Sequence, residues 1–314
     1  MPETLKENTA DASAPTAAVP APTVEVGKAR SLWSDAWHDL RRSPLFVVSA
    51  ILIVFLLVIA VFPGLFTGAD PRYADLAHHY LQKPKWGNFF QEDWFGYDIQ
   101  GRSIYARVIY GARASITVAI VVTALVTILG TVVGMLAGYF GGWIDTILSR
   151  VTDIFFGVPF ILGAMVVLTS FEERHIWVVI LALAFLGWTQ IARVARGSVL
   201  TIKQADYVMA AKALGASTSR ILLRHILPNA IAPVIVVATI ALGGYISAEA
   251  SLSFLGIGLA EPTVSWGVDI SSGQEQLRNA PFVLIIPSVM VSITVLAFIM
   301  LGDAVRNALD PKLR

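Results

Sequence analysis

The segment Tyr207-Val-Met-Ala-Ala-Lys-Ala-Leu-Gly-Ala-Ser-Thr-Ser-Arg-Ile-Leu-Leu-Arg-His-Ile-Leu-Pro-Asn229 lies between two long apolar stretches. Val208, Ala211 and Leu214, then Ile221, Leu222 and Ile226, set out one apolar face on either side of Gly215. The pattern reads as a cationic helix–Gly–helix element. Gly215 supplies a turn position that accepts φ > 0. Ser217 or Thr218 can cap the second helix by accepting a hydrogen bond from a free backbone N–H. Lys212, Arg220 and Arg224 keep the segment out of hydrocarbon and on the cytoplasmic face of a membrane. A short rigid element presented there suits docking against a soluble partner. The plainer reading is an interfacial hairpin that only joins two membrane spans.

Composition supports the membrane setting. The chain has 314 residues, 56% hydrophobic and 14% charged, with mean hydropathy +0.69. Soluble domains carry roughly 25% charged residues, so this is an all-α integral membrane protein in expectation. A net charge of +1 gives no bulk attraction for nucleic acid. Zero cysteines exclude disulfides, thiolate metal sites and cysteine nucleophiles. The first 28 residues are rich in Ala, Pro and Thr, with Glu3, Glu7, Asp11 and Glu25 among them. No basic region leads into an apolar one there, as a cleaved signal peptide requires. Residues 1–30 read as a disordered cytoplasmic tail.

A helix needs about 20 apolar residues to cross hydrocarbon. Six stretches qualify: Pro44–Phe66, Ala114–Tyr139, Ile144–Ser170, Ile176–Ile191, Ala230–Leu255 and Pro281–Leu301. The third carries Asp145, Arg150 and Asp153 at its start, so five spans and a re-entrant segment are the alternative. Lys28, Arg30, Arg41 and Arg42 precede the first span. Arg193, Arg196, Lys203, Lys212, Arg220 and Arg224 separate the fourth from the fifth, and Arg306, Lys312 and Arg314 follow the sixth. The short loops of the other side hold Arg174 and Arg278. The bias places both termini and the Gly215 segment in the cytoplasm. The expected units are residues 31–66 with the first span, an external loop or small subdomain at 67–113, a core at 114–303 holding five spans and the hairpin at about 204–228, and a cytoplasmic tail at 304–314.

Several residues stand out within the spans. Gly130, Gly134 and Gly138 align on one helix face, where a neighbouring helix can approach closely, within the bundle or from a partner subunit. Pro159 and Pro287 remove backbone donors and should bend the third and sixth spans. Glu249 is an acid deep in an apolar stretch. It is either a pathway or gate residue, or a carboxylate paired with a hydroxyl or a backbone N–H. Asp145, Arg150 and Asp153 sit at helical spacing and predict a local ion-pair ladder. The five histidines are scattered and show no metal spacing beyond the adjacent His78–His79. No Gly-x-x-x-x-Gly-Lys-Ser/Thr phosphate loop occurs. The chain reads as no enzyme, with no metal or cofactor site of its own, and any energy from ATP must come from a partner.

The hairpin resembles the EAA loop of ABC importer permeases, with Met209, Ala210, Ala211, Gly215, His225, Leu227 and Pro228 on its pattern. The usual Glu is Met209 and the usual Ile is His225. Further blocks extend the resemblance to about Ser31–Arg314. They are Gly138-Tyr-Phe-Gly-Gly-Trp-Ile-Asp145, Ile226-Leu-Pro-Asn229, Glu249-Ala-Ser-Leu-Ser-Phe-Leu-Gly-Ile-Gly258, Ser265-Trp-Gly267 and Gly302-Asp-Ala-Val-Arg-Asn-Ala-Leu-Asp-Pro-Lys-Leu-Arg314. Together they look like the C-type permease of dipeptide and oligopeptide ABC importers. The external Phe95-Gly-Tyr-Asp-Ile-Gln-Gly-Arg-Ser103 resembles that family's Leu-Gly-Thr-Asp-x-x-Gly-Arg-Asp, with Phe95, Tyr97 and Ser103 departing from it. Asn307 stands where the family often has Asp.

The resemblance implies a six-helix type I permease bundle with a cytoplasmic coupling hairpin, in a bacterial inner membrane. It implies a second, B-type permease, two ATPase subunits or one double ATPase that bind ATP and Mg, and an external solute-binding protein. ATPase contact would fall on Ala205, Asp206, Tyr207, Met209, Ala210, Ala211, Lys212, Leu214, Gly215, Ala216 and Ser217. The aromatic external loop, through Trp86, Trp94 and Tyr97, would meet the binding protein, or would lie on lipid as an aromatic belt. The implied cargo is a short peptide, while similar permeases carry glutathione, nickel chelates or haem. An ion-coupled secondary transporter is the competing class, though no internal repeat is visible. A structural membrane scaffold would not explain the hairpin.

Overall fold

The computed structural model describes residues 32–172 and 174–309. The tail expected at 1–30, and Lys312 and Arg314, lie outside the described residues. Within them the chain is helical, with one isolated bridge between Tyr97 and Ser103. The helices are α1 (Leu32–Arg42), α2 (Pro44–Val61), α3 (Leu76–His79), α4 (Ile104–Phe140), α5 (Gly142–Phe156), α6 (Phe160–Thr169), α7 (Ile176–Ile202), α8 (Asp206–Ala213), α9 (Thr218–Arg220), α10 (Leu227–Phe254), α11 (Trp266–Gly273) and α12 (Phe282–Leu309). A π-helical segment, Ile221–Ile226, joins α9 to α10. α2, α4, α7, α9–α10 and α12 are each long and apolar enough to cross a membrane.

Several spans run further than hydropathy suggests, whereas α2 stops at Val61, short of Phe66. α2 opens at Ser43, whose hydroxyl accepts from Phe46 N (3.4 Å), with Pro44 in the first turn. α4 begins at Ile104 rather than near Ala114. Its cap is Ser103, accepting from Ala106 N at 3.2 Å. Arg107 and Arg113 broke the apolar window, but both are satisfied inside the protein. Arg113 donates to the carbonyls of Ala60 and Val61, each at 3.0 Å, at the exposed end of α2. α7 likewise continues past Ile191 to Ile202. α12 runs unbroken through Pro287. Pro159 does interrupt its span: α5 and α6 meet at 84°.

The three glycines of α4 settle whether that bent pair crosses. A Cβ on Gly130 would lie 2.7 Å from the Trp188 carbonyl, and one on Gly134 2.5 Å from that of Ala192. One on Gly138 would lie 2.9 Å from Val199 Cβ. Residue numbers rise together along the two helices, so α4 and α7 run parallel at backbone contact. The chain between them must return across the membrane, and α5–α6 is that return. The protein therefore has six crossings, not five and a re-entrant loop. Both described ends, Leu32 and Leu309, fall on the side of the Gly215 hairpin. The glycine seam is internal, so of the two expected partners for it the neighbouring helix is the one present. Around it Ile53, Val122, Leu168, Leu183, Ile246 and Leu252 form the main apolar core.

On the side opposite the hairpin, charges knit the loops to the helix ends. Asp98 accepts from Arg102 Nε (2.7 Å) and from the backbone N–H groups of Gln100 and Arg102. Arg102 Nη1 donates to Glu261 Oε1 at 2.7 Å, and Arg107 Nη2 reaches the same oxygen at 3.2 Å. Arg107 Nε donates to Asp269 Oδ1 at 2.6 Å. Both arginine side chains are almost fully buried, whereas Glu261 is 46% exposed. This chain of five charges ties the external loop, α4, the α10–α11 loop and α11 together. The family-like Asp98 and Arg102 were legible in the sequence; Arg107, Glu261 and Asp269 were not singled out. An arginine in the first turn of an otherwise apolar helix was the available signal.

Two outcomes follow for detergent-solubilised protein, read as apparent melting temperature by tryptophan fluorescence. Gly134→Leu must displace the Ala192 backbone and should lose at least the ~1–3 kcal/mol typical of overpacking. Gly197→Leu, where a Cβ meets nothing within 4 Å, should melt close to wild type; equal melting of the two would remove the seam from its structural role. Arg107→Met leaves Asp269 buried without its cation and should cost about 3–5 kcal/mol. Glu261→Gln should cost clearly less because solvent reaches the site, and the reverse order would contradict the clasp described here.

Candidate functional site

The Gly215 hairpin is built from a short amphipathic helix and a helical extension of a span. Asp206 stands in the first turn of α8 and Lys212 in the last, each matching the helix dipole. Gly215 has φ +79°, and Ala216 N donates to the Ala211 carbonyl at 3.0 Å, closing a glycine C-cap. Ser217 occupies the next N-cap position, but its side chain makes no capping bond. Its hydroxyl lies 3.4 Å from that of Ser219 instead. The expected side-chain cap is therefore absent. The second helix needs less help than an isolated one, because α9, the π segment and α10 stack into one rod from Thr218 to Phe254.

Pro228 explains the π segment. A proline in a continuing helix has no N–H, and its ring clashes with the carbonyl four residues back. Widening the preceding turn relieves the crowding, and Leu227 N reaches back five residues to the Leu222 carbonyl. Asn229 Nδ2 satisfies the His225 carbonyl at 2.8 Å.

The inner face of the hairpin is Val208, Ile221 and Ile226, buried with Val199 and Ala230 against Met135 and Tyr139 of α4. Ala211 and Leu222 are half-buried beside them. Leu214 departs from the expected face: it is 89% exposed. Six residues from Val208 at about 100° each turn it some 240° away, and the helix ends there. The outer surface thus shows Tyr207, Met209, Ala210 and Lys212, with Leu214 projecting beside Gly215. Ala205 and Ala216 are half-buried, while Asp206 and Ser217 are exposed. Of the eleven residues expected to meet an ATPase, eight are exposed, and Ala205, Ala211 and Ala216 are half-buried.

Ion pairs brace the seam where it approaches the hairpin. Arg196 grips Asp145 with both prongs, at 2.5 and 2.6 Å. Arg193 pairs with Asp153 at 2.8 Å and stacks on Phe156, with 3.8 Å to the ring centroid. Lys203 Nζ donates to the Gly138 carbonyl at 2.7 Å. The ladder expected within α5 is thus corrected. Its acids pair across to α7, and the exposed Arg150 takes no part in either pair. Facing residues on a packed neighbour outcompete partners three or five residues along the same helix, which must reach along its surface. The turn from α4 into α5 is tight because Gly141 and Gly142 both take positive φ.

Glu249 is fully buried near the far end of α10. Ser115 Oγ donates to Oε2 at 2.9 Å; Ser253 Oγ and Ser265 Oγ donate to Oε1 at 3.0 and 3.2 Å. The same hydroxyls accept from the N–H groups of Trp266, Leu259 and Val268. Trp266 Nε1 in turn donates to the Val108 carbonyl at 2.8 Å. The carboxylate is therefore the hub of a network joining α4, α10 and α11. Gly267 leaves room for it, since a Cβ there would lie 3.1 Å from Glu249 Oε1.

The external loop folds on its aromatics. Trp94 stacks on Phe95 with centroids 4.6 Å apart and packs on Phe90 and Tyr105. Tyr97 is buried, stacked on His79 at 4.3 Å. Lys85 pairs with Asp93 at 2.8 Å and holds its carboxyl below the usual carboxylate range. Ser103, where the resembled family has Asp, keeps the α4 cap. Of the three residues expected to meet a binding protein, only Trp86 is open, with Phe89 and Phe90 exposed nearby. Among the described residues no cluster of three or more His, Asp or Glu side chains suits a metal ion.

Residues 130–314 match the family model of the binding-protein-dependent transport system inner membrane component, and residues 31–84 match that of the N-terminal TM domain of oligopeptide transport permease C. The chain is 36% identical to the oligopeptide transport system permease protein OppC of Bacillus subtilis (strain 168), over 91% of this chain and 92% of that one. It is 37% identical to the glutathione transport system permease protein GsiD of Shigella flexneri serotype 5b (strain 8401), over 93% and 95%. The MetNI methionine ABC transporter, solved in inward-facing conformations, shares the fold at TM-score 0.52 and 21% identity, over 64% of this chain and 96% of that one. The chain belongs to the binding-protein-dependent transport system inner membrane component family, in its permease C branch.

Proposed function

We propose that this chain is one of two different membrane-spanning subunits of an ATP-driven importer of short peptides. The observation that carries the reading is the hairpin: Ala210 and Gly215 set among Tyr207, Met209, Lys212 and a projecting Leu214 on the outside, locked from behind to both helices of the glycine seam. A partner helix-binding groove can seat such a surface at close range, and force on it reaches the bundle through α10 and the braced ends of α4 and α7. ATPase partners supply the nucleotide chemistry, because the sequence has no phosphate loop. Rigid-body rocking of this bundle against a B-type permease alternates access between the two sides. The relatives named for oligopeptides and glutathione support one cargo class, since glutathione is itself a tripeptide.

Arg41, Arg42, Arg193, Arg196, Lys203, Lys212, Arg220, Arg224 and Arg306 all belong to the hairpin side, which supports placing that side, and both ends, in the cytoplasm. The clasped aromatic loop then faces outward. Trp86, Phe89 and Phe90 offer the apolar anchors that suit docking of a solute-binding protein.

The complex reconstituted in vesicles tests each part. Gly215→Val is strained at φ > 0, and Leu214→Asp removes the knob. Each should cut peptide uptake by about an order of magnitude, with ATPase partners lost or hydrolysing without transport. Met209→Ala should change little, and normal uptake by both of the first two variants would end the coupling assignment. Trp86→Ala combined with Phe89→Ala should weaken stimulation by the binding protein while the membrane complex still assembles; full stimulation would return the loop to the lipid-belt reading. A reporter fused after Arg314 should be cytoplasmic and one near Lys85 external. Recovery of the two reporters on one side defeats the six-span orientation.

A further inference from the structure

Gly157, Val158 and Pro159 form the break between α5 and α6, and all three are exposed on this chain. Non-helical backbone at membrane depth persists only where protein buries it or water lines it. Its depth is set by the neighbouring α7. The break shares a cavity of about 380 Å³ with Leu186, Gly187 and Gln190. Gln190 lies fourteen residues from Ile176 and twelve from Ile202, so about 21 and 18 Å from the two ends of α7 at 1.5 Å per residue. Arg193, one turn after Gln190, pairs with Asp153 at the hairpin-side boundary, so the break lies within the membrane in its hairpin-side half.

Gln190 is itself exposed. A primary amide facing hydrocarbon leaves its donors and acceptor unpaired, and polar side chains within the membrane face cavities or other protein instead. The opposite wall of the cavity comes from α10. Gly244 is exposed and a Cβ on it would meet nothing within 4 Å, so that wall is open. Ser247, one turn on, is exposed as well. Gly187 has the reverse role: it makes room for Tyr245, whose hydroxyl donates to the Gly187 carbonyl at 3.2 Å. Phe155 and Phe160 complete the walls. The result is an uncharged cavity with the Gln190 amide, the Thr189 and Tyr245 hydroxyls and the exposed break among aromatic faces. Such groups pair with a peptide backbone and select no particular side-chain charge. The volume is within the range of small-molecule sites.

We infer that the α5–α6 break, Gln190 and the Gly244 face of α10 line the water-filled path, and that a short peptide in transit occupies it. The inference rests on the importer reading above and assigns that reading its path.

The chain has no cysteine, which makes the test direct. Val158→Cys, Gln190→Cys and Gly244→Cys are each placed singly in the full complex in vesicles and exposed to a charged, membrane-impermeant thiosulfonate. Ile128→Cys, at an exposed apolar position on α4, is the lipid-facing control, and the complex without an added cysteine gives the background. The three path positions should label about tenfold faster than Ile128→Cys, since the thiolate forms only in water. Labelling at the control rate would mean that lipid or the second permease covers the break, and would overturn the inference. Once labelled, the Gln190→Cys complex should lose uptake of trialanine; rapid labelling with undiminished uptake would also overturn it. If the three positions label but the unmodified complex imports no trialanine or glutathione, the peptide reading fails while the aqueous lining stands.

Discussion

Backbone contact between α4 and α7 governs the rest of the architecture. Three glycines in successive turns let the helices touch where any side chain would collide with a carbonyl or a Cβ of the neighbour. In hydrocarbon there is no hydrophobic drive to bring helices together, so close packing of small residues has to supply the attraction. The contact is parallel, and that one geometric fact dictates the return crossing and a common side for the hairpin and the chain ends. The arginines and lysine near the end of α7 then fasten α5 and α4 to the same rod through Asp145, Asp153 and the Gly138 carbonyl.

Charge is handled in this protein by enclosure at one boundary and by pairing at the other. On the loop side, Arg102 and Arg107 are taken almost out of water and share Glu261. Buried pairs of this kind are not strong evidence for stability, because desolvation offsets much of their attraction. Their value here is placement: each carboxylate comes from a different segment, so the two cations hold three segments together. On the hairpin side the pairs are partly exposed, and the Arg196–Asp145 pair is bidentate, which fixes helix orientation without burying charge.

Much of this was legible in the sequence, and the failures have physical causes. The hairpin, the glycine seam and five of the six crossings follow from local signals: Gly215 at a cap, glycines every four residues, uninterrupted apolar runs. The bent crossing was read correctly as a span with a charged start, but only its neighbours decide it, because a half-length helix such as α6 carries no signal of where it ends up. α4 was placed too short because Arg107 and Arg113 look like loop residues until Asp269 and the end of α2 are brought to them. Leu214 was assigned to the buried face because spacing was counted past the end of α8. Tyr97 was expected on the surface, yet stacking on His79 draws it inward, and no window of sequence records that contact. The role of Glu249 stood open between two descriptions; of its three serines only Ser253 lies at helical spacing from it, while Ser115 and Ser265 come from other elements that no periodicity connects.

The rod that begins at Thr218 ends at Phe254, one turn beyond Glu249. Thirty-seven residues at 1.5 Å each give it a contour of about 55 Å, longer than the hydrocarbon it crosses. The π turn ahead of Pro228 keeps it continuous where a proline would otherwise have created a joint. An unjointed rod works as a lever arm. A swing of about 5° pivoted at one end carries the other by about 5 Å, roughly one helical turn's rise. At the far end the three-serine network couples Glu249 to α4 and α11, so the arm cannot swing there without taking the face opposite the hairpin with it.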